Sequence, residues 1–447
     1  MLSSQGKYWL MSSVERTWTI VRDALKDFSE HRRTLQSISM VASANLLGMV
    51  LGVVGSLVQA HFIAPDDLGF VRKYAVVANS AIFLSLGLFT ILQREYPVLL
   101  GRGEREQAQR VAAIVQSWVL LASGVVCGIL TAIMLFEMVQ GKWREAAAWF
   151  IQIVAVFSTL YVGYLTCLFR SGQEFERLAK SQFVSSIAGT AVLPLFVWLP
   201  FPALVLRSVV GQILSSVYLH FVRPIKVGWC WLWRDWLNLV KRGMRLYAGT
   251  YLRYSLWLSV EIWLMLRLAG DVGVGLLVFS KMIADAMSQV SYAINQVYLP
   301  RLAQHFGQTG SVRGCLKLAL KPTLVNLGVS LLVTLSVWFV LPPILGFAFP
   351  KYVQAIPLVR ILALQTLVVS VSLPLYMVVV LEGYLTQILA AVLGLAVFVG
   401  VALLLARLGL EQSAVAWGTL VGQVTFASVG LGWVFLCAQR EIKKSEC

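Results

Sequence analysis

The strongest constraint on this fold is a series of about twelve apolar stretches, each long enough to cross a bilayer. They lie at about 36–63, 74–99, 108–136, 145–169, 179–199, 202–222, 246–269, 274–299, 317–342, 355–381, 384–407 and 412–438. Each reaches the roughly 20 residues needed to span ~30 Å of hydrocarbon at ~1.5 Å per residue. The pattern predicts an all-α polytopic membrane protein. Between 179–199 and 202–222 the only break is Leu199-Pro200-Phe201-Pro202, which leaves open two spans or one long bent hairpin. Apolar runs recur too often to leave room for a soluble module. Composition agrees: 58% of residues are hydrophobic and 13% charged, with a mean hydropathy of +0.77, far outside soluble usage.

The net charge of +16 would suit nucleic acid if the basic residues formed a patch. They stand instead in short clusters between apolar runs, as topology signals do, so no nucleic-acid partner is expected. The clusters are the N-terminus, Arg102-Arg105-Arg110, Arg170-Arg177-Lys180, Arg223 to Arg245, Arg301 to Lys321, and Arg440-Lys443-Lys444. The positive-inside rule makes these alternate faces cytoplasmic and places both termini inside. The opposite loops are short; their chief basic exceptions are Arg72 and Lys73, accompanied by Asp66 and Asp67, and Lys142 with Arg144. Val14, Trp18, Val21, Leu25 and Phe28 share one helical face before His31-Arg32-Arg33, which reads either as an amphipathic surface helix or as a solvated tail. The first thirty residues hold no apolar core, so no cleavable signal peptide is expected. In the central stretch 223–245, Trp229, Trp233 and Trp236 lie along one face, with Trp231 beside them and Arg234, Lys241, Arg242 and Arg245 interleaved. Trp and Arg together favour the headgroup layer. The cysteines lack CxxC spacing, the histidines lack i,i+4 pairs, and no GxxxxGK[ST] loop occurs; disulfides, a metal site, ATP hydrolysis and a cofactor are not expected.

The stretch from Arg245 to Pro300 breaks the apolar rule. Its first helix, about 246–269, places Tyr247, Tyr251, Tyr254, Ser255 and Glu261 on one face, interrupted by Leu258, with Arg253 on the flank. After a break at Gly270-Asp271-Val272-Gly273-Val274-Gly275, the second carries Lys281, Asp285, Ser288, Tyr292 and Asn295 in a stripe widened by Gln289 and Gln296. A charge near the bilayer centre costs at least about 2.5–3.5 kcal/mol, so two such stripes on adjacent helices imply a cavity. The same residues admit structural readings: Lys281 and Asp285 as a neutralised i,i+4 pair, and Arg253 snorkelling to the interface. Glu261 has no basic residue three or four positions away and must meet a partner on another helix or be neutralised. Arg94-Glu95 reads as an interfacial ion pair, Arg360 as snorkelling or lining an outer vestibule, and Asn45 and Asn79 as polar cavity groups or interhelical hydrogen-bond formers.

The two halves look related. Ile63-Ala64-Pro65-Asp66-Asp67-Leu68-Gly69-Phe70 and Arg94-Glu95-Tyr96-Pro97 correspond to Leu268-Ala269-Gly270-Asp271-Val272-Gly273 and Val297-Tyr298-Leu299-Pro300 at an offset of about 203–204 residues. Six spans per half make the repeat parallel, with sites expected between the repeats near the midplane. The positions matching Glu261, Lys281 and Asp285 are uncharged in the first half, which places the charge chemistry in the second.

Three features carry a family resemblance: the span, Gly-rich break and Pro-terminated span at 246–300; its counterpart at 40–100 with Pro65-Asp66-Asp67-Leu68-Gly69-Phe70; and Gly346-Phe347-Ala348-Phe349-Pro350-Lys351-Tyr352-Val353 running on to Arg360 and Ala363. With them the chain resembles the multidrug/oligosaccharidyl-lipid/polysaccharide exporter superfamily, and within it the Wzx-type and related polysaccharide-biosynthesis flippases. The resemblance implies two six-helix bundles, 36–222 and 246–438, around a central cavity. They are joined by a cytoplasmic linker at 223–245, preceded by the interfacial segment 1–35 and followed by the tail 439–447. It implies a non-enzymatic transporter of the bacterial cytoplasmic membrane that moves an undecaprenyl-diphosphate-linked oligosaccharide to the periplasmic leaflet, among membrane lipids and polymerase or export machinery. On that reading Arg253 and Lys281 suit the anionic group, Tyr247, Tyr251 and Tyr254 suit sugar stacking, and Glu261 and Asp285 suit proton or sodium coupling. The alternatives are a multidrug/cation antiporter of the same fold, a lipid-linked peptidoglycan-precursor flippase, and a membrane-embedded polysaccharide polymerase or glycosyltransferase.

Overall fold

The computed structural model describes residues 48, 51–52, 54–172, 174–381 and 383–445; the amphipathic stretch at 14–28 and Asn45 lie outside them. Among the described residues every regular element is helical. Lipid offers a backbone no hydrogen bonds, so each crossing segment has to satisfy its own N–H and C=O groups. Among the described residues eight helices are long and apolar enough to cross, and the bent pair Pro65–Ser85 and Leu88–Leu100 supplies a ninth. This falls short of the expected count of about twelve for local reasons. The first span is only partly described; Phe175–Ala191 is short and ends in a 3-10 turn at Leu193–Val197. The spans expected at 246–269 and 274–299 are two helices that meet at a sharp kink at Gly270 within Trp257–Thr309, and they count as one where the run is taken as continuous. The broad Gly-rich break thus contracts to a single residue, Gly270 at φ 64° and ψ −164°, a conformation open to glycine. Pro200 opens its own helix, Pro200–Phe221, so the Leu199–Pro202 stretch separates two elements.

The linker also departs from expectation. It is helical from Trp233, and Trp233–Tyr251 runs through a π turn at Leu252–Leu256 into Trp257. Trp229 and Trp233 are exposed, but Trp236 is buried, packed against Trp118, Trp231 and Trp233 in the first half's core. Gly87, at φ 75°, leaves room for the backbone of Gly243, and Glu95 pairs with Arg242 at 2.6 Å instead of with Arg94.

Packing divides the molecule by its ends. At the end that carries the Gly270 bend, one cluster joins the halves, with Ile63, Leu68 and Val71 from the first against Val274, Leu277 and Tyr352 from the second. At the opposite, linker end, each half has a core of its own: Leu92, Tyr96 and Tyr164 in one, Leu302, Met377 and Val434 in the other. The bend end is closed where the two sequence-related motifs meet. A Cβ on Gly69 would enter the Asp271 carbonyl, and one on Gly275 the Pro65 carbonyl, so the backbones touch only because both residues are glycine. Lys73 Nζ bonds Asp271 Oδ2 at 2.8 Å. Arg144 pairs with Asp67 and lies over the rings of Phe70 and Phe201. Tyr352 donates its hydroxyl to the Ile63 carbonyl at 3.2 Å.

Candidate functional site: a cavity between the halves

A cavity of about 450 Å³ separates the halves, lined by Arg72, Asn79 and Arg207 from the first and Lys281, Asp285 and Gln289 from the second. A smaller one of about 220 Å³ lies within the second half around Arg253, Tyr254, Glu261, Lys281, Asp285 and Tyr292. Lys281 and Asp285 border both.

The π turn at Leu252–Leu256 decides which predicted residues meet here. Such a turn inserts one residue, and one residue rotates everything beyond it by about 100° on a helix of 3.6 residues per turn. A stripe extrapolated straight through it therefore mixes two faces. Arg253, expected on the flank, shares a cavity with Tyr254 and Glu261. Its guanidinium lies 4.2 Å from the Phe426 ring centroid and 5.2 Å from that of Tyr254. Tyr247 and Tyr251 are not brought to the site. Tyr247 donates to the Ile82 carbonyl at 3.4 Å, and Tyr251 packs on Phe83 with centroids 4.9 Å apart.

Glu261 is 0% exposed. One carboxylate oxygen accepts from Thr419 Oγ1 at 2.6 Å, and the other pairs with Lys281 Nζ. Its partner is thus on the neighbouring helix, the first of the two outcomes that its isolation in sequence left open. The ammonium engages Glu261, leaving Asp285 exposed and without an ion-pair partner among the described residues. Ser288 and Asn295 turn away into hydrogen bonds with Ala284 and Ser372. Arg360 lies against Trp338, its Nη2 3.5 Å from that residue's carbonyl.

Breaking a buried pair strands the remaining charge, which costs about 3–5 kcal/mol. Lys281→Ala is therefore expected to lower Tm sharply in detergent, and Glu261→Leu with Lys281→Met to restore most of it. If Lys281→Ala unfolds at the parent temperature, Glu261 does not depend on this partner.

The first half supplies what the sequence reading omitted. Arg207 bonds the side-chain oxygen of Gln59, and Arg72 projects into the same space. Among the described residues neither has a carboxylate partner. Arg207 was recognisable as a lone arginine inside an apolar span, by the rule that singled out Glu261. In the sequence Arg72 stands beside Lys73 and reads with it as a loop charge. The structure splits them: Lys73 closes on Asp271, while its neighbour, one residue round the helix, faces the cavity.

No protein-family model matches the chain, and no curated protein matches it. Solved structures do. An inward-facing multidrug resistance MATE family transporter of the MOP superfamily aligns over 89% of this chain and 96% of its own, at 15% identity and a TM-score of 0.70. The lipid II flippase MurJ, in an inward closed conformation, aligns over 88% of this chain and 87% of its own, at 12% identity and a TM-score of 0.66. A MOP superfamily transporter from Pyrococcus furiosus, described by the reverse polarity of its binding pocket, aligns over 90% and 95%, at 15% identity and a TM-score of 0.62. At such identities the likeness establishes the fold, that of multi-pass MOP-superfamily transporters.

Proposed function

We propose that this chain is a flippase that moves an undecaprenyl-diphosphate-linked oligosaccharide from the cytoplasmic to the periplasmic leaflet by alternating access, for surface polysaccharide biosynthesis. The observation that carries the reading is the pair Arg72 and Arg207, two guanidiniums that line the cavity between the halves and, among the described residues, form no ion pair, Asp285 across the same cavity included. Cations held inside a membrane protein at such cost mark a pathway or a ligand. Guanidinium forks match phosphate oxygens in geometry as well as charge. Arg72 and Arg207 hold the diphosphate, with Lys281 across the cavity. Arg253 and Tyr254 line the adjoining space in the second half. Tyr247 and Tyr251 are withdrawn from sugar binding by their packing.

Under the positive-inside orientation the closed bend end is periplasmic and the linker end, where the halves keep separate cores, is cytoplasmic. The head group then enters from the cytoplasmic leaflet, meets the arginines, and leaves when the bend end parts and the linker end closes. Glu261 and Asp285 flank Lys281, so a proton or sodium ion bound at either carboxylate changes where the ammonium rests. That is the coupling role assigned to them.

The unpaired carboxylate of Asp285 in the cavity favours one second reading, a multidrug/cation antiporter. The experiment that separates the two uses purified protein in liposomes. A fluorescent undecaprenyl-diphosphate sugar is placed in the inner leaflet, and its arrival outside is followed with and without an ion gradient. Protein-dependent arrival is expected. Exchange of cationic drugs for protons, with no lipid arrival, would overturn the flippase reading.

A further inference from the structure

A larger chamber of about 700 Å³ lies wholly within the first half, among Pro65–Ser85, Leu88–Leu100, Trp143–Ser171 and Pro200–Phe221. Its size falls within the roughly 300–1,000 Å³ of small-molecule sites. It meets the central cavity at Arg72 and Asn79, and Arg170 also lines it. No carboxylate does.

The chamber carries several uncommitted polar groups. Hydroxyls on the membrane helices of this chain commonly bond back to the carbonyl four residues earlier, as Thr131, Thr190, Ser216, Ser280 and Thr323 do. Ser158, Thr159 and Thr166 line the chamber and make no such bond, and the side chain of Asn79 likewise has no partner among the described residues. Gln152, 2% exposed, also lines it, and its Oε1 has no partner among the described residues. Ser158 and Thr159 stand in the π turn Ser158–Val162, and Thr166 follows it in Gly163–Ser171. Amides and hydroxyls that both donate and accept, on a wall whose charges are all positive, match the hydroxyl-rich surface of a saccharide.

We infer that this chamber holds the glycan of the transported lipid while the arginine pair holds its diphosphate. The inference rests on the flippase reading and adds a substrate class: neutral or acidic sugars, with free amino sugars disfavoured by Arg72 and Arg170.

The test measures binding to purified protein in nanodiscs of two probes, undecaprenyl diphosphate and the same lipid bearing N-acetylglucosamine. The unmodified protein is expected to bind the glycosylated probe at least ~10-fold more tightly. Gln152→Leu combined with Thr159→Val and Thr166→Val is expected to erase that preference while leaving affinity for the bare lipid diphosphate unchanged. Thr159→Val alone preserves shape and is expected to lose a measurable part of the preference even if the triple variant fails to fold. Equal binding of both probes by the unmodified protein, or full preference retained in the variants, would overturn the glycan chamber and leave the flippase reading standing. Failure to bind either probe would remove both.

Discussion

Arg72→Gln combined with Arg207→Gln is expected to cut transport of lipid-linked diphosphate by at least ~100-fold. Hydrogen bonds to charged groups contribute about 1.5–3 kcal/mol each, and two such losses multiply to roughly two decades or more. Each single variant is expected near ~10-fold. Arg207→Lys should retain part of the activity, since it keeps the charge but loses the planar fork. Stability is expected to move the other way. A guanidinium kept in a membrane cavity without an ion-pair partner costs folding energy, so the double variant should unfold at the same temperature as the parent or a higher one, the usual relation between a strained site and its function. Binding of a lipid diphosphate in micelles and thermal unfolding of the same sample check both halves of the prediction. If Tm falls and affinity is unchanged, Arg207 is a structural partner of Gln59 and the anion site lies elsewhere.

The path from sequence to site was readable up to identifiable points. Hydropathy exposed the helices because each segment has to satisfy its own backbone in lipid, and the offset between halves exposed the motifs that turn out to touch. The contact itself was invisible: that Gly69 meets the Asp271 carbonyl and Gly275 the Pro65 carbonyl depends on how two distant helices cross. The polar stripe on the first helix failed at Leu252–Leu256, because no spacing rule announces a π turn. Tyr247 and Tyr251 lie before it, Glu261 after it, and they face different neighbours. Glu261 was legible because it stood alone among apolar residues, and its pairing with Lys281 follows from the bend that brings the next helix back alongside. Arg72 was hidden by its neighbour Lys73. A charge beside a loop reads as a topology signal, and only the packing of Pro65–Lys73 shows that two adjacent cations serve different ends.

Gly69→Val is expected to hold the bend end open. The added side chain meets the backbone carbonyl of Asp271, and backbone cannot swing aside as a flexible side chain would. Overpacking of this kind costs about 1–3 kcal/mol, borne only by the state in which Gly69 and Asp271 touch. That differential shifts the equilibrium between closed and open bend ends by roughly 5- to 150-fold. Transport should fall at least ~10-fold, since a cycle that rarely closes one end seldom reloads from the other. The population itself is measurable: in a background without native cysteines, Asn79→Cys reports from the cavity wall, and labelling by an impermeant maleimide from outside should rise in Gly69→Val. Lys73→Gln with Asp271→Asn removes the 2.8 Å ion pair of the same seal without the clash, and is expected to raise labelling by a smaller factor, because part-exposed pairs contribute at most about 1 kcal/mol. The order of the three proteins discriminates. If labelling is equal in all of them, contact between the repeat motifs does not control access at this end, and the alternating-access reading loses its outer gate.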